Sequence, residues 1–223
     1  MSWSSARAVE IEPSLYAADF GRLLEDVERC LDAGVKVFHF DVGDGHFVEP
    51  ITIGPIVLQA ISPLVHERGG LLDCHLMVDN PDRHIPQIAK AGGDSVTVHA
   101  EVGGTAQLIA LAREHGLGAG VAFNPGTAVA DAARAAEGAD IVLCMSIWPG
   151  YSGQAFMPEA LDRIRELRGL LPPDVRVQVD GGVGAANIRE IHDAGATLLV
   201  AGTSVFGADD PGAAYRELTA LVS

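Results

Sequence analysis

Short runs of strand type alternate with amphipathic helical patterns along the chain, and this alternation constrains the fold more tightly than any other feature of the sequence. The first run, Val9 to Tyr16, leads into Asp19 to Gly34, where Phe20, Leu23, Leu24, Val27, Cys30 and Leu31 fall at helical spacing and Gly34 stops the helix. Val35 to Val42 precedes Ile56 to Val65, and Leu71 to Met77 precedes a helix that opens near Pro81 and runs to Ala91. Ser95 to His99 leads to a helix over about Gly104 to His115, Gly118 to Phe123 to one over about Ala128 to Glu137, and Ile141 to Ser146 to Pro158 through Leu171. Val175 to Val179 precedes Ala185 to Ala194, and Leu198 to Ala201 precedes Pro211 to Val222. Strands that alternate with helices pair in parallel, because each helix must carry the chain back across the sheet. Eight such units predict an α/β fold, a closed (β/α)8 barrel of the TIM type with a parallel eight-stranded core. An open doubly wound sheet is the competitor, but Pro13-Ser14-Leu15-Tyr16 does not resemble the glycine-rich dinucleotide turn that such a sheet often carries after its first strand.

The length of 223 residues suits one such barrel as a single domain over residues 1–223, with residues 1–8 a short polar N-terminal extension. No apolar run approaches a membrane span, and Met1 to Arg7 is too short and polar for a signal peptide, so a cytoplasmic location is expected. Cys30, Cys74 and Cys144 are far apart and odd in number, as free buried thiols in a reducing compartment would be. The formal charge of −15, with Lys36 and Lys90 the only lysines, argues against nucleic acid and anionic membranes as partners. Such a field also repels phosphorylated substrates at long range. A site for one must therefore create positive potential locally, from a metal or from backbone N–H groups.

The unusual polar residues gather at the C-terminal ends of the strands, the face on which barrel active sites are built. His39 and Asp41 project from one face of the second strand, two residues apart within an apolar run. His75 ends the third strand, Asp180 the seventh and Ser14 the first. Two His and two Asp converging on one mouth offer N and O ligands suited to Zn2+, Fe2+, Mn2+ or Co2+. His99, also at a strand end, fits either a partner behind these ligands or an ordinary loop residue, and His46 receives no role. Independently, Trp148-Pro149-Gly150-Tyr151-Ser152-Gly153-Gln154, Asp180-Gly181-Gly182 and Ala201-Gly202-Thr203-Ser204 are glycine-bearing turns after strands six, seven and eight. Glycine lets backbone N–H groups approach an anion, and the last loops of a barrel commonly grip phosphate.

These residues resemble a known family. Pro13-Ser14-Leu15, His39-Phe40-Asp41-Val42, Asp44-Gly45-His46-Phe47-Val48, Thr52-Ile53-Gly54-Pro55, His75-Leu76-Met77, Pro149-Gly150 with Gly153-Gln154, Asp180-Gly181-Gly182-Val183 and Ala201-Gly202-Thr203 follow in order the pattern of ribulose-phosphate 3-epimerase. The resemblance implies an isomerase of the pentose phosphate pathway that inverts C3 of a ketose phosphate, D-ribulose 5-phosphate to D-xylulose 5-phosphate. It implies one divalent metal ion per chain held by His39, Asp41, His75 and Asp180, with Asp41 and Asp180 as the acid-base pair. Ser14, His75, Gly150, Tyr151, Ser152, Gly153, Gly181, Gly182, Gly202 and Thr203 would hold the sugar phosphate, and the protein would be a homo-oligomer, a dimer or a hexamer.

The chain departs from the family pattern at Tyr16-Ala17, Gly43, Trp148 and Tyr151-Ser152. Tyr16, Gly43 and Trp148 are expected to face the barrel mouth. Gly43, standing where the family usually has Met, would then remove a wall of the pocket and bear on substrate choice. An epimerase of another ketose phosphate, allulose 6-phosphate or a tetrulose phosphate, is the nearest alternative, and a non-catalytic sugar-phosphate-binding barrel is a further one.

Overall fold

The computed structural model describes residues 8–223; apart from Ala8, the polar extension expected at the N-terminus lies outside them. Eight strands make one sheet: β1 (Glu10–Pro13), β2 (Val37–Gly43), β3 (Leu71–Met77), β4 (Ser95–His99), β5 (Gly118–Phe123), β6 (Ile141–Met145), β7 (Arg176–Asp180) and β8 (Leu198–Ala201). Their order is β1-β8-β7-β6-β5-β4-β3-β2, every neighbouring pair parallel. Among the described residues, the wall closes between β1 and β2 through a single bridge, Ser14 to His39. The helices are α1 (Leu23–Asp32), α2 (Pro55–Glu67), α3 (Pro81–Ala91), α4 (Thr105–Glu114), α5 (Val129–Ala135), α6 (Ala160–Leu170), α7 (Ile188–Asp193), a short α8 (Thr203–Phe206) and α9 (Pro211–Val222).

The expected alternation is therefore present, with shifts at its edges that have local causes. The first helix starts at Leu23, not Asp19, because the Asp19 carboxylate accepts from the Gly21 N–H at 2.9 Å and from Arg22 Nε at 3.1 Å and holds the chain in a turn. The first strand stops at Pro13, and Leu15–Ala17 form a 3-10 turn. Pro55, Pro81 and Pro211 open their helices at the first turn, where a missing N–H is harmless. At the end of α3, Gly92 takes the left-handed conformation, φ +93°, that stops a helix.

Strand parity divides the sheet into two environments. Phe38, Phe40 and Val42 of β2, Leu72, Cys74 and Leu76 of β3, and Val177 and Val179 of β7 belong to the main apolar core, packed with the helices' apolar faces. The opposite parity carries Glu12, His39, Asp41, Asp73, His75, Ser95, Thr97, His99 and Gln178, all buried. The barrel interior is thus strongly polar along β1 to β4 and β7, while Ala122, Leu143, Met145 and Ile147 make a small separate apolar cluster. All three cysteines are free and buried, as expected. Among the described residues, no helix is long and apolar enough to cross a membrane.

Candidate active site

Register sets the geometry of the site. Asp41 lies opposite His75 across β2 and β3, Asp180 ends β7, and the bridge at the wall's closure brings Ser14 beside His39. One donor atom each from His39, Asp41, His75 and Asp180 lie within 4.8 Å of one another. His75 Nδ1 stands 3.0 Å from Asp41 Oδ1, and His39 Nε2 stands 3.2 Å from the same oxygen. That His39 nitrogen is buried without hydrogen-bond geometry to any partner. A buried nitrogen left in this state is costly. The donor set, two imidazoles and two carboxylates around one point, fits a divalent cation of borderline character, which the orphaned nitrogen would ligate.

The electrostatics of the cation-free cluster separate its two carboxyls. Burial raises the Asp41 carboxyl, but the His39 and His75 imidazoles against it outweigh this and hold the group well below the ordinary range. Burial first, and then the Asp41 charge, push Asp180 up to about 7. Burial works against charging His39, yet Asp41 and Asp73 raise it well above its ordinary value. His75, dominated by burial, moves down. Ser14 Oγ donates to Asp41 Oδ2 at 2.6 Å, so this residue, expected to touch substrate, also orients the carboxylate across the wall's closure.

A second buried layer, not foreseen from the sequence, lies beneath. Asp73 Oδ2 is 3.2 Å from His39 Nδ1, the arrangement that fixes a ligand imidazole's orientation. Gln178 Nε2 donates to Asp73 Oδ2 at 2.8 Å and also to Glu12 Oε2, and Ser95 Oγ donates to Asp73 Oδ1 at 2.5 Å. Burial and then the Asp73 charge push Glu12 up to about 8. These amide, hydroxyl and imidazole groups answer both oxygens of Asp73, while Glu12 Oε1 and Gln178 Oε1 stay buried without a partner; lying beneath the upper cluster, Glu12 and Asp73 read as its support. The signal was present in the sequence as strand parity: Glu12, Asp73 and Gln178 each sit two residues before Ser14, His75 and Asp180.

Above the cluster opens a cavity of about 320 Å³ lined by Ser14, Tyr16, Asp41, Met77, Asp180 and the three glycine-bearing turns. Gly150, Tyr151, Ser152 and Gly153 come from the turn after β6, Gly181 and Gly182 from the one after β7, and Gly202, Thr203 and Ser204 from the one after β8. The turns approach one another closely: a Cβ at Gly202 would stand 3.5 Å from Ser152 Oγ, and one at Gly182, φ +64°, only 2.4 Å from the Phe156 backbone nitrogen. Gln154 Nε2 pins the turn after β6 by donating to the Trp148 and Tyr151 carbonyls at 2.8 and 3.0 Å. His46, left without a role, gives its backbone N–H to Asp44 at 2.8 Å in the turn after β2.

The departures expected to face the mouth do not all do so. Tyr16 lines the cavity. Gly43 does not: a Cβ there would run into Val48 Cγ2 at 2.9 Å and the Pro50 carbonyl and Thr52 Cγ2 at 3.0 Å. Its side-chain direction points under the loop that follows β2, so the expectation of a removed pocket wall fails. Trp148 is 56% exposed and lies over Gly126 in the loop after β5, outside the cavity lining.

Residues 10–206 match the profile of the Ribulose-phosphate 3 epimerase family. The chain is 42% identical over 220 residues to ribulose-phosphate 3-epimerase 2 of Cupriavidus necator, covering 95% of this chain and 90% of that protein. It is 42% identical over 207 residues to ribulose-phosphate 3-epimerase of Escherichia coli, covering 90% of each. A solved 3-hexulose-6-phosphate synthase shares the fold at a TM-score of 0.73 and 22% identity, covering 96% of this chain and 100% of that one. With the ordered motifs, the eight-stranded barrel and the coverage of these matches together, the chain belongs to the ribulose-phosphate 3-epimerase family, a family of isomerases.

Proposed function

We propose that this protein is a metal-dependent epimerase that inverts C3 of a ketose phosphate, D-ribulose 5-phosphate to D-xylulose 5-phosphate, within one barrel domain. The observation that carries the reading is the meeting of two carboxylates, Asp41 and Asp180, with two imidazoles beneath a cavity of about 320 Å³. Inverting a carbon next to a ketone requires a proton to leave one face and another to arrive on the other. A single group cannot serve both faces. Asp41 on β2 and Asp180 on β7, separated around the barrel by β1 and β8, can flank the carbon. One carboxylate takes the C3 proton while the other, protonated, delivers one to the opposite face, and the two exchange roles when the reaction reverses.

His39, Asp41, His75 and Asp180 would hold one divalent ion per chain. Such an ion supplies Lewis acidity that stabilises negative charge on the sugar oxygens as the C3 proton leaves. Ser14 fixes the Asp41 carboxylate, and Asp73 fixes the His39 ring. The turns at Gly150 to Gly153, Gly181 to Gly182 and Gly202 to Thr203 hold the phosphate, with Tyr16 above the sugar chain. The test is proton NMR of ribulose 5-phosphate in D2O with metal-loaded and chelator-treated protein. Loss of the C3–H signal with growth of xylulose 5-phosphate, abolished by chelation and restored by one equivalent of divalent ion, is expected. Full turnover in protein shown by elemental analysis to be metal-free would refute the metal-dependent mechanism.

A further inference from the structure

His75 does not end the polar chain that begins at Asp41. Its Nε2 lies 2.8 Å from Nε2 of His99, whose Nδ1 lies 3.1 Å from Oε2 of Glu101. The other oxygen of Glu101 accepts the Asn124 N–H at 2.8 Å and the Thr127 hydroxyl. Both rings are buried, and Phe47 packs 4.6 Å from His99. We propose that Glu101, acting through His99, fixes the tautomer of His75 so that Nδ1 is bare toward Asp41 and open to a cation.

The direction of this relay follows from counting donors. Glu101 accepts a fixed backbone donor from Asn124, and as a carboxylate it accepts on its other oxygen as well. His99 must therefore carry its proton on Nδ1, leaving Nε2 as an acceptor. Among the described residues, the donor placed to fill that acceptor is His75 Nε2–H. A neutral His75 then has its lone pair on Nδ1, 3.0 Å from Asp41 Oδ1, where two acceptors face each other with no proton between them. A cation at that point resolves the mismatch. His39 has a direct carboxylate partner in Asp73; His75 has the same support one ring removed. Neither His99 nor Glu101 lines the cavity or offers a ligand atom to the cluster, so both are positioning residues.

The proposal rests on the metal site proposed above, and its test separates the two. Glu101→Gln keeps size and shape, yet the Asn124 N–H requires the amide oxygen on its side, which turns the NH2 toward His99. The relay then reverses: His99 accepts on Nδ1 and donates from Nε2, and His75 carries its proton on Nδ1, across the cation's place. Long-range 1H–15N NMR of 15N-labelled, cation-free protein should show His75 protonated on Nε2 in the wild type and on Nδ1 in Glu101→Gln. Competition with a chromophoric chelator should show Zn2+ affinity lower in Glu101→Gln by roughly 10- to 100-fold, the range for such supporting partners. His99→Gln, which retains an acceptor for His75, should stay within a few-fold of wild type, whereas His99→Leu should fall as Glu101→Gln does. Equal Zn2+ affinity in wild type, Glu101→Gln and His99→Leu, or a wild-type His75 protonated on Nδ1, overturns the relay. If wild type binds no Zn2+, the metal site itself is wrong, and the tautomer measured in cation-free protein still decides the relay.

Discussion

Gly43 offers a sharp test of what the structure says about specificity. The loop after β2 folds back on the strand end: Thr52 Oγ1 accepts the Gly43 N–H at 2.6 Å and donates to the Asp41 carbonyl at 2.7 Å, and Asp44 bridges to Ile51. A methyl group at position 43 would meet Val48, Pro50 and Thr52 at 2.9 to 3.0 Å, below any ordinary carbon contact, and one of those atoms is a backbone carbonyl that cannot swing away. Added carbons in a filled site cost about 1–3 kcal/mol. For a chain of this size each kcal/mol lowers Tm by roughly 2–4 °C, so Gly43→Ala should melt roughly 2–12 °C below wild type. Gly43→Met should melt lower still. Val48 and Pro50 also back Gly150, so lifting the loop would loosen the turn after β6 for every substrate alike. The assays are differential scanning calorimetry and kcat/KM for ribulose 5-phosphate beside allulose 6-phosphate. The expected result is a lower Tm with an unchanged substrate ratio. A Gly43→Met variant that melts like wild type, or one that changes the ratio, refutes the packing argument and restores position 43 to the pocket.

Other expectations follow from the site. Asp41→Asn and Asp180→Asn should each lower C3–H exchange by roughly 10²- to 10⁴-fold with cation occupancy measured alongside; near-normal exchange in either would remove that residue from the acid-base pair. Tyr16→Ala should change the ratio of kcat/KM between ketose phosphates by roughly 10-fold or more, and Trp148→Ala should not; the opposite pattern would mean that Trp148 shapes the pocket. Glu12, protonated in the folded state up to about pH 8 but ionised above its ordinary value of 4.5 when unfolded, contributes stability that is full below 4.5 and is lost as pH rises through 8. Chelated protein should therefore lose on the order of a few kcal/mol over that window in urea unfolding, and Glu12→Gln should flatten the fall. Parallel pH profiles for the two proteins would show that Glu12 is not the source.

The four candidate ligands were legible because a strand period of two exposes a polar residue within an apolar run, and because barrels place chemistry at strand ends. Asp41, His75 and Asp180 satisfy both conditions, His39 lies mid-strand opposite Asp73 and was legible from its parity with Asp41, and the structure brings all four together. Glu12, Asp73 and Gln178 satisfy the first alone. They lie mid-strand, where a sequence reading expects apolar filling, although their parity with Ser14, His75 and Asp180 was available. The partners of Glu101 were not legible at all, since Asn124 and Thr127 come from a different loop and meet it only through the curvature of the wall. At Gly43 the strand period gave the parity correctly, but only the path of the following loop decides what that side of the chain meets.

The uneven attachment of β1 has a mechanical consequence. This strand is zipped to β8 over the whole register from Glu10 to Pro13, while its other flank meets β2 through the Ser14 to His39 bridge, the Ser14 to Asp41 hydrogen bond and the approach of Glu12 Oε2 to His39 Nδ1 at 3.8 Å. The hoop therefore has a clasp, and the clasp is made of the residues around the candidate ligand cluster. A ligand that binds only the fastened form adds RT ln(1 + [L]/Kd) against opening, about 2.7 kcal/mol at a hundredfold excess over Kd. Amide exchange along β1 and β2 should slow when a divalent ion is added, while exchange in β5 and β6 across the barrel changes less. Fastening the hoop and assembling the site are then one event: an unclasped wall has no site to fill, and a filled site holds the wall shut.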